Sequence, residues 1–371
     1  MCARIAIVYN EPVLSNYHRR GEEAAVVGVL DAVEAVHQAL LELGYDVTRV
    51  PLAPPLEQAR KRINELEADL VFNLFEGFPG YPETEAEIPD SLSEVGIPFT
   101  GCPRAALRLA LDKAQTKVIL KTAGIATPDF QLLDRGTIPT FRLRYPCIVK
   151  PAAEDASHGL SEKSVVNDFS ALKEQVEQVS HNYGGQALVE EFIGGREFNV
   201  TIMGNRDYSI LPISEIDYLL PDGMPKILTF AAKWQPDSPY FKGTQVICPA
   251  VIGPEYQKNI EDTALRTYRL LGCRGYARVD MRQDKQGSYN VIDVNPNPDI
   301  SPGAGAARQA QAAGMNYTRF IEKIVQLAIE KAANENQHST YGEQRQASPG
   351  ENTAPYARVQ AGRGGSRRGG H

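Results

Sequence analysis

Residues 4–10, RIAIVYN, are a near-continuous run of β-branched and aromatic residues, and a second short extended run, DVTRV, lies at 46–50. Between them, residues 22–45 carry apolar side chains at helical spacing, and Gly44 supplies the signal that closes such a helix. A connection of that length and pattern rules out a hairpin. It is a crossover, so the two strands lie parallel in one sheet. ADLVFNLFEG at 68–77 adds a further buried strand, and GIPFTG at 96–101 reads as a short strand at a domain edge. Residues 1–102 are therefore expected to form an N-terminal open parallel α/β domain.

The pattern then changes. Residues 104–125 read as one amphipathic helix with Lys113, Lys117 and Lys121 on a separate stripe. From YPCIVKPA onward, runs such as ALVEEFI, EFNVTIMGN and YSILPISEI are extended and joined by short turns. Residues 275–299 read as a hairpin turning at 284–287. This half is expected to be α+β, with a central subdomain at 103–186 and a C-terminal one at 187–333 that ends in an apolar-faced helix at 316–333. Residues 334–371 have few bulky aliphatics and many Gly, Ser, Gln and Arg, a composition expected to be disordered.

The net charge of −7 gives no general attraction for nucleic acid or an anionic membrane, which leaves the Arg/Gly-rich end as the one place suited to RNA or an acidic partner. The five cysteines are far apart, with neither a CxxC pair nor zinc-ligand spacing, as expected of thiols in a reducing compartment. The first residues lack the pattern of a secretory signal, and no stretch is long and apolar enough to span a bilayer. A cytoplasmic protein acting on small molecules is the expectation.

The hairpin holds the densest chemistry. Arg278 and Asp280 are two apart on one strand, and Asp293 and Asn295 two apart on the other, so each pair shares a face. If the faces coincide, two carboxylates, an amide oxygen and a guanidinium converge. Hard oxygens of this kind suit magnesium, or manganese, together with substrate phosphates, while the arginine suits a phosphate or a developing oxyanion. Seen alone, such residues also describe a solvated hairpin face.

LVEEFIGGREF at 188–198 is a second cluster. Phe192 and Ile193 offer apolar walls and backbone groups to an adenine ring, and a carboxylate among Glu190, Glu191 and Glu197 fits ribose hydroxyls. The blander reading makes Glu190 and Glu191 salt-bridge residues at a strand end. Lys113, Lys150 and Lys233 are candidate point charges for phosphate. In KPAAEDASHGL, which begins at Lys150, Ser157 and Gly159 belong to a small-residue loop suited to covering phosphates, and His158 reads equally as a substrate contact or an exposed side chain.

GIPFTG, ALDKAQTK, YPCIVKPA, LVEEFIGGREF, AAKW, ICPA, GCRGYARVD and VIDVNPNPD occur in an order and at a spacing that resemble the ATP-grasp superfamily, and within it the D-alanine-D-alanine ligases, from about residue 68 to 330. The resemblance implies an ATP-grasp fold in which two α+β subdomains clasp ATP. It also implies that Lys113 and Lys150 contact ATP phosphates, Glu190 to Ile193 border adenine, Glu197 holds ribose and Lys233 approaches the terminal phosphates. Asp280, Asp293 and Asn295 would hold magnesium, and Arg278 would face the reacting carboxyl. The implied reaction phosphorylates a carboxylate with ATP, and an amine then attacks the acyl phosphate. A homodimer through the first domain is a further implication.

The sequence departs from the family where substrate is held. A glycine-serine-serine run is replaced by Asp155, Ala156 and Ser157, a tyrosine by Trp234, and a histidine-glycine element by Glu76-Gly77. Asp299 stands in place of an oxyanion-hole glycine, and Ala304 near a serine that holds a carboxylate. These changes favour a carboxylate–amine ligase whose substrates are not two D-alanines. Glu11, Glu22, Glu23 and Glu76 are candidates for an ammonium group, and His18, Arg19 and Arg20 for an anionic one. The alternatives are a true D-alanine-D-alanine ligase, a non-catalytic ATP-binding module, an RNA-associated protein, and a carboxylating or phosphate-transferring relative.

Overall fold

A computed structural model describes residues 2–13, 23–152 and 158–346, with side chains left out at 23–27 and 333–346. β1 (Arg4–Asn10) is the middle strand of a parallel sheet in the order β2-β1-β3, with α1 (Glu23–Glu42) crossing to β2 (Asp46–Leu52), and α2 (Leu56–Asn64) crossing to β3 (Leu70–Leu74). The two-residue period of β1 divides it cleanly. Ile5 and Ile7 join the core under α1, and Ala6 and Val8 join the one under α2, which is why the strand reads as an unbroken apolar run. Gly44 ends α1 at a φ of 83°. GIPFTG falls short of a strand: Phe99 makes a single parallel bridge to Val71, between Pro98, which lacks an N–H, and Gly101 at a φ of 87°.

After α3 (Glu87–Glu94), the helix expected over 104–125 is broken into α4 (Arg104–Leu111) and α5 (Lys113–Thr122). At the break Asp112 caps α5, its side chain accepting from the Gln115 N–H at 2.8 Å. Next come β4 (Phe130–Leu133), β5 (Cys147–Pro151), β6 (Val165–Val166), α6 (Phe169–Tyr183) and β7 (Ala187–Glu191), whose strands form an antiparallel sheet in the order β4-β7-β5-β6. β7, at the start of the segment expected to form the C-terminal subdomain, therefore belongs to the same sheet as β4, β5 and β6. Its neighbours decide this, because β7 pairs with β4 on one side and β5 on the other.

β8 (Glu197–Gly204), β9 (Tyr208–Ile210), β10 (Ser214–Tyr218), α7 (Phe230–Trp234), α8 (Pro239–Gly243), β11 (Thr244–Ile247), α9 (Pro254–Leu270), β12 (Tyr276–Gln283) and β13 (Tyr289–Asn295) follow. Their sheet runs β11-β10-β8-β12-β13, with β9 added beside β8. β12 and β13 are the expected hairpin, turning at Asp284–Gly287 with Gly287 at a φ of 86°. Gly195 lies where the chain enters β8, and a Cβ there would come 1.9 Å from the Gln283 carbonyl oxygen, so only glycine allows this approach.

α10 (Gly305–Ala312) and α11 (Tyr317–Gln346) complete the fold. Phe320, Ile321, Ile324 and Val325 of α11 join Val33, Val36 and Leu40 of α1 in one core, so the described residues up to Ala332 make a single compact unit. α11 continues to Gln346, into the segment expected to be disordered, because nothing in its sequence before Ser348-Pro349 breaks a helix outright. Residues 347–371, with the Arg/Gly-rich end, lie outside the described residues. No helix among the described residues is long and apolar enough to cross a membrane.

Candidate active site

The hairpin register sets Arg278 opposite Asn295 and Asp280 opposite Asp293. Directly opposed residues of an antiparallel pair project to the same side, so the faces do coincide. Arg278 grips Asp280 with both arms, Nε to Oδ1 at 2.7 Å and Nη2 to Oδ2 at 2.9 Å. Asn199 of β8 donates to Asp280 Oδ1 at 2.7 Å, and its own carbonyl accepts from the fully buried Gln309 at 2.7 Å. Asn295 Oδ1 accepts from the Asn297 N–H at 3.1 Å. Burial works against the Arg278 charge, but Asp280, with Asp293 and Asp299 behind it, outweighs burial and raises its pKa above the ordinary arginine value.

A lysine cluster faces this hairpin. The break at Asp112 brings Lys113 and Lys117, one helical turn apart on α5, into the interior, while Lys121 at the far end is exposed and pairs with Asp129. Lys113 Nζ lies 3.2 Å from Asp293 Oδ1. Lys117 reaches Glu190 at 2.8 Å and Thr127 at 3.0 Å, and Thr127 in turn donates to the Val291 carbonyl of β13 at 2.7 Å. Lys150 reaches Glu190 at 3.1 Å and the Ile292 carbonyl at 3.4 Å. Burial pulls Lys117 below the ordinary lysine range against the support of Glu190. For Glu190, burial pushes up, but Lys117 and Lys150 together hold the carboxyl below its usual range. Burial likewise pushes Asp293 up, and Lys113, then Lys150, overcome it and bring it down to about 2.

Both carboxyls are thus lower in the folded chain than in the unfolded one. Their stabilisation is complete above the ordinary carboxylate range and is lost as pH falls through the folded values. The melting temperature should drop as pH falls from 5 to 2, and drop less in a Glu190→Gln variant; a flat profile in scanning calorimetry would contradict the pairing.

The second cluster divides. The Glu190 side chain is the counter-ion of Lys117 and Lys150, which matches the salt-bridge reading of its sequence position. Glu191 pairs with Arg144 at 3.3 Å. The Phe192 N–H donates to the Pro146 carbonyl at 2.8 Å, and the Ile193 carbonyl accepts from Arg282 at 2.8 Å. Glu197 is buried, and its Oε2 accepts from Tyr218 at 2.7 Å and from Arg282 Nε at 2.9 Å. Arg282, which the sequence reading passed over, also lies over the Phe192 ring at 5.2 Å. The signal was present, since Arg278, Asp280 and Arg282 alternate along one strand face. Lys117 and Asn199 are the other residues that were not singled out as site residues.

Lys233 sits half-buried on α7, whose start is capped by Thr229. Burial first, then Arg278, lowers its pKa, against the pull of Asp280, Asp293 and Asp299. Gly159 has a φ of 75°, and a Cβ there would come 2.8 Å from the Tyr183 ring. His158 is buried against Phe230, with ring centroids 5.7 Å apart, which removes the exposed reading. Ser157, Asp155 and Ala156 lie outside the described residues, as do His18, Arg19, Arg20, Glu22 and the side chain of Glu23. Glu11 and Glu76 are exposed near the ends of β1 and β3, where Asn10 Oδ1 accepts from the Glu76 N–H at 2.7 Å. The loop after β13 meets that edge through Asn297, which donates to the Phe75 carbonyl at 3.2 Å and to Glu85 at 3.0 Å. Asp299 is exposed and accepts from Ser301, and Ala304 precedes α10.

Residues 119–326 match the model of the D-Ala-D-Ala ligase C-terminus, more than half of the chain. The chain belongs to the D-alanine-D-alanine ligase family. It is 34% identical to an uncharacterized protein of Sinorhizobium fredii over 80% of this chain and 84% of that one. To a D-alanine-D-alanine ligase of Desulforudis audaxviator it is 31% identical, over 80% and 92%. Among solved structures, a Bacillus anthracis D-alanine-D-alanine ligase complexed with ATP matches 90% of this chain and 99% of its own at a TM-score of 0.68 and 21% identity. A VanG D-Ala:D-Ser ligase of Enterococcus faecalis matches 88% and 100% at a TM-score of 0.67 and 18% identity. The fold is ATP-grasp, and the chain is an ATP-grasp ligase of the carbon–nitrogen bond-forming kind.

Proposed function

We propose that this ligase uses ATP to phosphorylate a carboxylate and passes the acyl group to an amine, on amino-acid-like substrates that are not two D-alanines. The observation that carries the first half is the meeting of a cationic pole with an oxygen pole along β12 and β13. Lys113 sits beside Asp293, Lys150 beside the carbonyl of the adjoining Ile292, and Arg278 beside Asp280. Phosphoryl transfer asks a protein chiefly for positioning and neutralised charge, and this set supplies both.

Asp280, Asp293 and Asn295 suit magnesium by donor chemistry, each bringing hard oxygen. Two carboxylates and an amide fall short of a full shell, and no group of three or more His, Cys, Asp or Glu side chains arranged for a metal occurs among the described residues. Phosphate oxygens of ATP and water would complete the shell of such an ion. When bound, magnesium would neutralise phosphate charge at the transferring group. Arg278, held by Asp280, is placed to orient the reacting carboxyl and stabilise negative charge developing on it. Lys113, Lys150 and Lys233 orient the phosphates, and Glu197 with the Phe192–Ile193 stretch is assigned to the nucleoside. An unactivated carboxylate has oxide as its leaving group, whereas an acyl phosphate has phosphate, and this is why the charge machinery is needed.

The second half rests on the residues around that machinery. Trp234, Glu76, Asp299 and Ala304 replace the family's substrate-holding types, and the family includes ligases with a different second substrate, such as the VanG D-Ala:D-Ser ligase. Incubation with ATP, magnesium and D-alanine alone should release little ADP and form no dipeptide, read by coupled assay and mass spectrometry. Rapid ADP release with D-alanyl-D-alanine formation would sink the specificity proposal and leave the ligase reading standing.

A further inference from the structure

α7 is five residues long, too short to hold its own shape, so its position is set by what it packs against. Its Phe230, Lys233 and Trp234 are spaced i, i+3, i+4 and share one stripe. The two aromatic rings sit one helical turn apart and run on as a row. Phe230 lies 6.3 Å from Trp234 and 5.7 Å from His158, ring centre to ring centre, and the Phe230 N–H donates to the Leu160 carbonyl at 3.1 Å. At the other end the indole rests on Gly28 of α1, where a Cβ would come 2.8 Å from its Cη2 and 3.1 Å from its Cζ3. The indole N–H is buried and has no hydrogen-bond partner among the described residues, so the contact with Gly28 is one of ring shape.

We propose that Trp234, seated on Gly28 and packed through Phe230 against His158, is a positioning residue that places Lys233 against the terminal phosphate of ATP. The glycine is there for the indole. In mid-helix alanine is the better helix former, so glycine at 28 weakens α1, and its gain is the space it leaves. A Cβ at 28 drives the far end of the indole away, and Lys233, one residue before it on a helix held only by packing, moves with it. The first domain is thereby coupled to the phosphate site through an apolar contact, beside the polar one that Asn297 makes with Phe75 and Glu85.

The inference rests on the proposed phosphate role of Lys233, and the test separates the two. Affinities for magnesium-ATP and magnesium-ADP are measured by calorimetry, because only ATP carries the group that Lys233 would meet. Gly28→Ala is expected to lower ATP affinity about fivefold with ADP affinity unchanged, part of the effect of a lost charged hydrogen bond, while its melting temperature holds or rises. Trp234 is the one tryptophan in the chain, so its emission reports the seat directly and should shift to the red in Gly28→Ala. Trp234→Phe added to Gly28→Ala makes room for the methyl group and should recover the preference for ATP, a non-additive result that general damage would not give. Lys233→Ala should lose that preference by about tenfold. If Lys233→Ala keeps it, the phosphate role itself is wrong. If Lys233→Ala loses it while Gly28→Ala keeps both preference and emission, the seating is wrong and the phosphate role stands.

Discussion

Asp293→Asn is expected to leave the protein folded and to cut ATP-dependent turnover by about a thousandfold, the scale of removing one well-placed electrostatic group from a charge-transfer site. The fold should survive, because Asp293 is 37% exposed while Val291 and Val294 on either side of it hold β13 in the core. The amide keeps the shape of the carboxylate and still accepts from Lys113, so only the charge is lost. What that charge does is specific to its place. It faces Asp280 across the hairpin and carries lysines that hold it at about 2, so it remains ionised at any pH where the enzyme would work. Titration with magnesium and manganese should show weakened dependence on the ion in the variant. Full activity with an unchanged metal requirement would remove Asp293 from the oxygen pole.

A second large effect is expected in stability rather than turnover. Lys117 and Glu190 are 3% and 2% exposed and lie 2.8 Å apart. Lys117→Met strips Glu190 of the more deeply buried of its two counter-ions, and breaking a buried pair costs about 3 kcal/mol. Most of that is the penalty of a carboxylate left short of compensation. Adding Glu190→Gln to Lys117→Met should therefore restore much of the loss, since removing both charges of a buried pair is often close to neutral. Urea unfolding of the two variants decides it: a single variant as stable as the original chain, or a double variant no better than the single, would show that the pair contributes little. Lys117 also ties α5 to β13 through Thr127, so the single variant should lose activity along with stability.

The parallel sheet was legible because burial on both faces forces an unbroken apolar run, and β1 has one. The hairpin was legible because alternation along a strand is a strict rule, and Arg278, Asp280, Asp293 and Asn295 obey it. Other features depended on contacts that no local pattern carries. The helix over 104–125 is periodic enough to read as one, and the aspartate that breaks it is an ordinary exposed residue until its side chain turns back to cap α5. Glu190 offered two readings from its strand-end position, and only the approach of Lys117 and Lys150 from elsewhere in the chain settles its partners. The sheet that β7 joins is not legible locally for the same reason, since strand neighbours are long-range facts. Trp234 and Gly28 are 206 residues apart in sequence, and neither marks the other until they are in contact.

The ligase mechanism itself is tested most directly by following oxygen. An amino acid accepted in an ADP-release screen, labelled with oxygen-18 in its carboxylate, would be turned over with ATP and an amine. Passage through an acyl phosphate must leave one labelled oxygen in the inorganic phosphate for each amide formed, because the carboxylate oxygen that attacks the terminal phosphorus departs with it. Labelled phosphate in that ratio is the predicted result. Amide formation with unlabelled phosphate, or ATP bound and no ADP released with any acid and amine, would contradict it.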